Sequence, residues 1–292
     1  MEFRTQVPIP SWDLKIDHSS NVLLLGSCFV ENIGKKLEYH KFQTLQNPFG
    51  ILFHPAAIGS FLKAVEQGKQ FSEEDVFFHN ERWHSFDAHS ALSRTHKEDL
   101  LVELNSAVET SKSFLVKATH VIITLGTAWG YRLKTSGKTV ANCHKVPQAE
   151  FEKELMEVDR EMALCAGIIK KLNPEACVIF TVSPVRHLKD GFVENQRSKA
   201  RLITAIHKVI SGGENIVYFP SYEIMMDELR DYRFYAEDMI HPNQVAIDYI
   251  WKRFTETYMT PETLKLMEEV AQLQRSLAHR PFNPESGAHN KF

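Results

Sequence analysis

Asn21-Val22-Leu23-Leu24-Leu25-Gly26-Ser27-Cys28-Phe29-Val30-Glu31-Asn32-Ile33-Gly34 is the stretch whose reading decides the fold. It opens with a short apolar run that Gly26 stops, after which Phe29, Ile33 and Leu37 recur at helical spacing. The reading is a strand, a tight turn and a helix. Two further runs repeat the theme: Thr119 to Leu125, rich in β-branched residues, ends at Gly126, and Ala176 to Val182 ends at Ser183-Pro184. Continuous apolar runs of this kind suit strands covered by helices on both faces.

Working outward, the pattern predicts a fourth strand at Ile216 to Phe219. It predicts helices over Phe151 to Leu172, through Leu155, Met156, Leu164, Ile168 and Ile169, and over Arg197 to Ile210. Strands alternating with helices imply an α/β three-layer sandwich around a mostly parallel central sheet. Residues Phe71 to Arg94 and Tyr131 to Pro147 fit this pattern less well and read as inserted hairpins or lids. After Pro261 the sequence predicts one amphipathic helix, Thr263 to Ala278, and then a loose polar tail. The whole chain, 1–292, reads as a single domain with its core at about residues 20–260.

Composition narrows the function classes. Hydrophobic residues make up 43% and charged residues 24%, a globular balance, and the net charge of -3 offers no basic excess for a phosphate backbone. Nucleic acid is not an expected partner. Met1 to Ser20 contains no continuous apolar stretch, so neither a signal peptide nor a membrane anchor is expected, and the protein reads as cytoplasmic. Cys28, Cys143, Cys165 and Cys177 are too few and too scattered for a disulfide framework or a metal pair, and read as reduced thiols. No metal and no cofactor are expected. Oligomeric state is not written in the sequence.

Ser27, Gly126 and Ser183 all fall just after strands, at the sheet edge where ligands of such folds bind. A serine leaving a parallel strand sits at the mouth of the sheet, beside the N–H groups that open the next helix; it serves equally well as a helix N-cap. Near the other end, Asp238-Met239-Ile240-His241-Pro242 precedes the helical run Val245 to Phe254. An Asp three residues before a His can fix the imidazole tautomer while the other ring nitrogen takes a proton from a serine hydroxyl; alternatively Asp238 caps a local turn and His241 is a surface residue. Together, a strand-end serine and a late Asp-x-x-His predict a nucleophile with its activators: Ser27, His241 and Asp238. Asn142-Cys143-His144-Lys145 and Arg186 are candidates for lining a substrate pocket, with an exposed loop and a strand-end ion pair as the plainer alternatives. Trp83, His84, Asp87 and His89 read as a polar hairpin rather than a metal cluster.

Gly26-Ser27-Cys28-Phe29-Val30 resembles the G-S-C-F-A signature of the GSCFA family, whose members resemble the SGNH (GDSL-like) hydrolases; Val30 stands where the signature has Ala. The likeness continues through Asn47-Pro48-Phe49-Gly50, Leu125-Gly126-Thr127-Ala128-Trp129, Ser183-Pro184-Val185-Arg186 and Asp238-Met239-Ile240-His241-Pro242. The resemblance implies a flavodoxin-like sheet and the triad Ser27, Asp238 and His241. It also implies an oxyanion hole from the N–H groups of Ser27 and Gly50. The superfamily's third block reads Gly-x-Asn-Asp, but this chain has Gly126-Thr127-Ala128-Trp129, so the expected side-chain donor is missing. The Thr127 hydroxyl is the first replacement to test and Asn47 the second. Asn47, Trp129, His144 and Arg186 are the substrate-binding candidates, and the implied substrate is a small O-acyl ester, such as an O-acetyl carbohydrate. An acyltransferase using the same residues and a noncatalytic glycan- or protein-binding domain are the alternatives.

Overall fold

The computed structural model describes residues 5–278. In chain order, β1 (Asn21–Gly26) leads into α1 (Cys28–Tyr39), β2 (Gln43–Gln46), α2 (Pro55–Gln67), β3 (Phe77–His79), β4 (Arg82–His84) and α3 (Lys97–Leu115). These are followed by β5 (His120–Leu125), β6 (Trp129–Leu133), β7 (Thr139–Val140), β8 (Phe151–Leu155), α4 (Asp159–Leu172), β9 (Cys177–Val182) and α5 (Phe192–Ile210). β10 (Ile216–Phe219), a single turn α6 (Ser221–Glu223), α7 (Gln244–Tyr258) and α8 (Pro261–Ala278) complete the described chain.

The central sheet has the order β10-β9-β5-β1-β2, and every neighbouring pair is parallel. Strands β5 and β9 are buried along their whole length, as their unbroken apolar sequences require. Alternate side chains point to opposite faces. Leu23, Leu25, Val121, Ile123, Val178 and Phe180 pack with residues of α2 to α5, including Ile58, Leu104, Ile169 and Leu202. Val22, Leu24, Ile122 and Ile179 pack on the other face with Phe29 and Ile33 of α1 and Ile250 and Phe254 of α7. Helix, sheet and helix thus form three layers, the architecture predicted.

Local chemistry sets the boundaries. Helix α2 starts with His54 accepting from the Ala56 N–H, has Pro55 in its first turn and stops at Gly68 with φ 62°. Asn243 caps α7 by accepting from the Ala246 N–H. One expectation is corrected: Phe151 to Leu155 is not the start of a helix but strand β8, paired antiparallel with β6, and the helix begins at Asp159. The segment around Ser136-Gly137 forms the β6–β7 hairpin of this three-stranded sheet, and β3 and β4 form a second hairpin. The predicted loose tail lies outside the described residues. Among the described residues, no helix is long and apolar enough to cross a membrane.

The sheet order places a switch between β1 and β5: from β1 the chain steps outward to β2, then returns to β5 on the other side and continues to β9 and β10. The carboxyl ends of β1 and β5 therefore flank the crevice where such sheets hold ligands.

Candidate active site

Gly26 closes β1 with φ 131°, and a Cβ there would lie 2.1 Å from the Thr124 carbonyl oxygen, so no other residue fits the turn. The turn delivers Ser27 to the N-cap position of α1 with φ -73° and ψ 170°. The side chain does not cap the helix: Ser27 is fully buried, and its Oγ has no hydrogen-bond partner. Its N–H donates to Thr124 O at 2.9 Å. On the neighbouring strand end, Asn47 Oδ1 accepts from the Gly26 N–H at 2.9 Å while Asn47 Nδ2 is buried without a partner.

The Asp238–His241 segment forms a self-contained turn. Asp238 Oδ1 accepts from the N–H groups of Ile240 and His241 at 2.9 and 3.0 Å, and Oδ2 meets His241 Nδ1 at 2.6 Å. The His241 N–H, the His241 ring and the Ile240 N–H together hold the Asp238 pKa down to about 2. A carboxylate on Nδ1 fixes the proton there and leaves Nε2 as the acceptor. The pair lies at the surface, with side-chain exposures of 50% and 45% for His241 and Asp238.

Arg186 secures this turn. Its backbone N–H donates to Ile240 O at 3.2 Å, its guanidinium donates to Met239 O at 3.0 Å, and the guanidinium lies 5.2 to 5.6 Å from the rings of Phe192, Tyr235 and Tyr232. Its contacts are those of a brace for the Asp–His turn, and among the described residues it makes no ion pair.

Two residues of the site escaped the sequence reading. Lys199 of α5 is 1% exposed, and its ammonium donates to Gly126 O and Ser183 O at 2.8 Å each, tying together the ends of β5 and β9. Burial lowers its pKa to about 7, with Cys28 pulling the other way. The signal was weak: Lys199 falls on the buried face of α5 with Asn195, Ser198, Leu202, Ala205 and Ile206, and only the last three of these are apolar. His187 has a buried Nε2 without a partner and stacks edge-on against Phe53. Burial, then the charges of Lys199 and His241, lower its pKa to about 3. The Arg186 N–H on Ile240 O holds the Asp238–His241 turn beside the chain that leaves β9, and Lys199 ties the end of β9 to that of β5. Burial and Glu31 push the Cys28 thiol up, which disfavours the thiolate.

The remaining candidates separate. Ser27 and His241 share the sheet edge, but no hydrogen bond joins them, since Ser27 Oγ is unpartnered. Gly50, with φ 72°, spends its N–H on Asn47 O at 2.7 Å. The Thr127 hydroxyl lies 3.1 Å from Ser198 Oγ, where either oxygen can be the donor, and accepts from the Trp129 N–H at 3.0 Å. Trp129 and Thr127 line a cavity of about 450 Å³ with Phe53, His54, Tyr131 and Asn142; Ser27 and His241 are not in its wall. His144 does not line that cavity; it is buried in the insertion, meeting Ser90 Oγ at 3.0 Å and Ser85 O at 2.7 Å. Among the described residues no three His, Cys, Asp or Glu side chains converge as metal ligands.

Comparison with known proteins places the chain. No curated protein matches it. A carbohydrate esterase of family 3 from Clostridium thermocellum is similar over 86% of this chain and 98% of its own, at 8% identity and TM-score 0.40. An acetyl xylan esterase from the rumen bacterium Butyrivibrio proteoclasticus is similar over 94% of this chain and 66% of its own, at 11% identity and TM-score 0.41. A family model for the C-terminal domain of GSCFA domain proteins matches residues 270–292. The GSCFA family model matches residues 21–254, from the first residue of β1 into α7, and therefore includes Ser27, Asn47, His187, Lys199, Asp238 and His241. By that match the chain belongs to the GSCFA family.

Proposed function

We propose that this protein is a serine-dependent esterase of the SGNH type, with Ser27 as nucleophile, His241 as general base and acid, and Asp238 as its orienting carboxylate. The observation that carries this reading is the Ser27 hydroxyl: it stands at a helix N-cap yet caps nothing, and it is left buried and unpartnered at the switch point of the sheet. The Asp238–His241 pair, 2.6 Å apart, supplies what that hydroxyl lacks, an oriented base.

His241 Nε2 removes the Ser27 proton as Oγ forms a bond to the ester carbonyl carbon, and the carbonyl electron pair moves to oxygen. When the tetrahedral species collapses, the C–O bond to the leaving group breaks and His241 returns the proton to the departing oxygen. Water then attacks the acyl-serine, giving its proton to His241, and the Ser27 hydroxyl is restored with release of the acid. Because Ser27 is fully covered, substrate entry displaces side chains above it. Lys199, beneath the same strand ends, places positive charge near the developing oxyanion while protonated. The substrate class implied is a small O-acyl ester, including O-acetyl groups on carbohydrate.

The test is hydrolysis of p-nitrophenyl acetate by the wild type, Ser27→Ala and His241→Ala, each verified as folded. Both variants are expected to lose activity by roughly 10³-fold or more. Turnover unchanged in Ser27→Ala, or absent from folded wild type, overturns the reading.

A further inference from the structure

We infer that Asn47, on the loop after β2, supplies the oxyanion donor through its side-chain Nδ2, in place of the asparagine that the loop after β5 lacks. The inference rests on Ser27 being the nucleophile. Two other candidate donors are spent, the Ser27 N–H on Thr124 O at 2.9 Å and the Gly50 N–H on Asn47 O at 2.7 Å, and the Thr127 hydroxyl is tied to Ser198 Oγ at 3.1 Å. Asn47 is held in the opposite condition.

Its N–H donates to Leu24 O at 2.9 Å, its carbonyl accepts from Gly50, and Oδ1 accepts from the Gly26 N–H at 2.9 Å. A backbone N–H only donates, so the atom facing Gly26 must be oxygen, and the amide cannot be flipped. The NH₂ group then points away from Gly26, buried, with two donors and no acceptor. The backbone of Asn47 is left-handed, φ 38°, a conformation that Asn tolerates better than most residues. Three anchors and a strained backbone thus fix an unused donor one residue from Ser27. Such preorganisation serves an oxyanion better than a ground-state carbonyl, because the donor need not reorient as charge develops. No proton is transferred: as the Oγ–C bond forms and the carbonyl pair moves to oxygen, Nδ2–H donates a hydrogen bond to it.

Asn47→Asp tests this, because it keeps an oxygen for the Gly26 N–H and removes both donors. With p-nitrophenyl acetate, kcat is expected to fall about 10²–10³-fold, with KM within about threefold of wild type. Inhibition by phenylboronic acid, whose serine adduct is tetrahedral and anionic, should weaken by a similar factor, while the melting temperature stays near that of wild type. Asn47→Gly, which the left-handed backbone accepts, should show the same loss of kcat if the aspartate variant folds poorly. Wild-type kcat and boronate affinity in Asn47→Asp, beside an inactive Ser27→Ala, would reduce Asn47 to an anchor of the strand ends and leave Ser27 standing. Activity retained in Ser27→Ala would overturn both readings.

Discussion

The inserted strands β3, β4 and β6 to β8 and the carboxyl edge of the central sheet use the same kinds of buried polar residue in opposite ways. In the insertion the hydrogen bonds close, with His79 Nε2 of β3 the exception. His84 meets Ser93 Oγ at 2.6 Å and His79 O at 2.9 Å, His144 meets Ser90 and Ser85, and Asn142 Oδ1 accepts from the His144 N–H at 2.8 Å. Aromatic rings, such as Phe77 stacked on Phe86 at 4.1 Å, pack around them. At the sheet edge, Ser27 Oγ, Asn47 Nδ2, Thr124 Oγ1 and His187 Nε2 are buried and unpartnered. His54 Nε2, beside the neighbouring cavity, is a fifth; its Nδ1 accepts from the Ala56 N–H, so the proton sits on Nε2, toward the Ala128 backbone. Elsewhere among the described residues only Trp12 and His79 have such atoms. Unpaired buried groups are costly, and in the function proposed above their concentration at one edge is where a substrate completes the bonding, whereas His84 and His144 of the insertion hold structure.

Three substitutions sharpen or break that contrast. The largest effect is expected from Arg186→Ala, which frees the Asp238–His241 turn from its brace: kcat should fall roughly 10- to 100-fold with little change in melting temperature. Steady-state kinetics decide it, and an unchanged kcat would mean that the turn holds itself. His144→Ala should do the reverse, costing roughly 2–3 kcal/mol of stability by urea titration while kcat stays within about threefold. A large kcat loss in a stable His144→Ala would bring the insertion into the site after all.

The smallest effect concerns acid stability. His54 and His144 are lowered to about 4 and His187 to about 3, in each case mainly by burial, whereas an unfolded histidine titrates near 6.5. Below pH 6.5 the unfolded chain therefore binds more protons than the fold. The contribution of these histidines is complete above 6.5 and is lost as pH falls toward 4, and toward 3 for His187. His187→Gln should make the stability of the protein fall less steeply from pH 6.5 to 4.5, by close to one proton, or about 1.4 kcal/mol per pH unit. An unaltered slope would show that His187 is not held neutral by the fold.

What was legible in the sequence was what is local. Strands β1, β5, β9 and β10 announce themselves by apolar runs, whereas β2, Gln-Thr-Leu-Gln, is a short, half-exposed edge strand with no such run. β8 was hidden because Phe151, Leu155 and Met156 join the apolar residues of α4 into one apparent helix, and only pairing with β6 separates them. The pairing of Asp238 with His241 is legible because the turn makes its own hydrogen bonds within four residues. The donors were harder. Whether the N–H of Gly50 or the hydroxyl of Thr127 is free depends on Asn47 O and on Ser198, which the fold brings in from elsewhere. His187 and Lys199 likewise acquire their roles only when β5 and β9 end side by side.

The most direct measurement of the central claim is reaction of the intact protein with a fluorophosphonate, followed by mass mapping of the adduct. The account predicts a single phosphonyl group on Ser27, formed rapidly in the wild type and far more slowly in His241→Ala, with none in Ser27→Ala. Adducts on another residue, or a folded wild type that takes up no label, would contradict it.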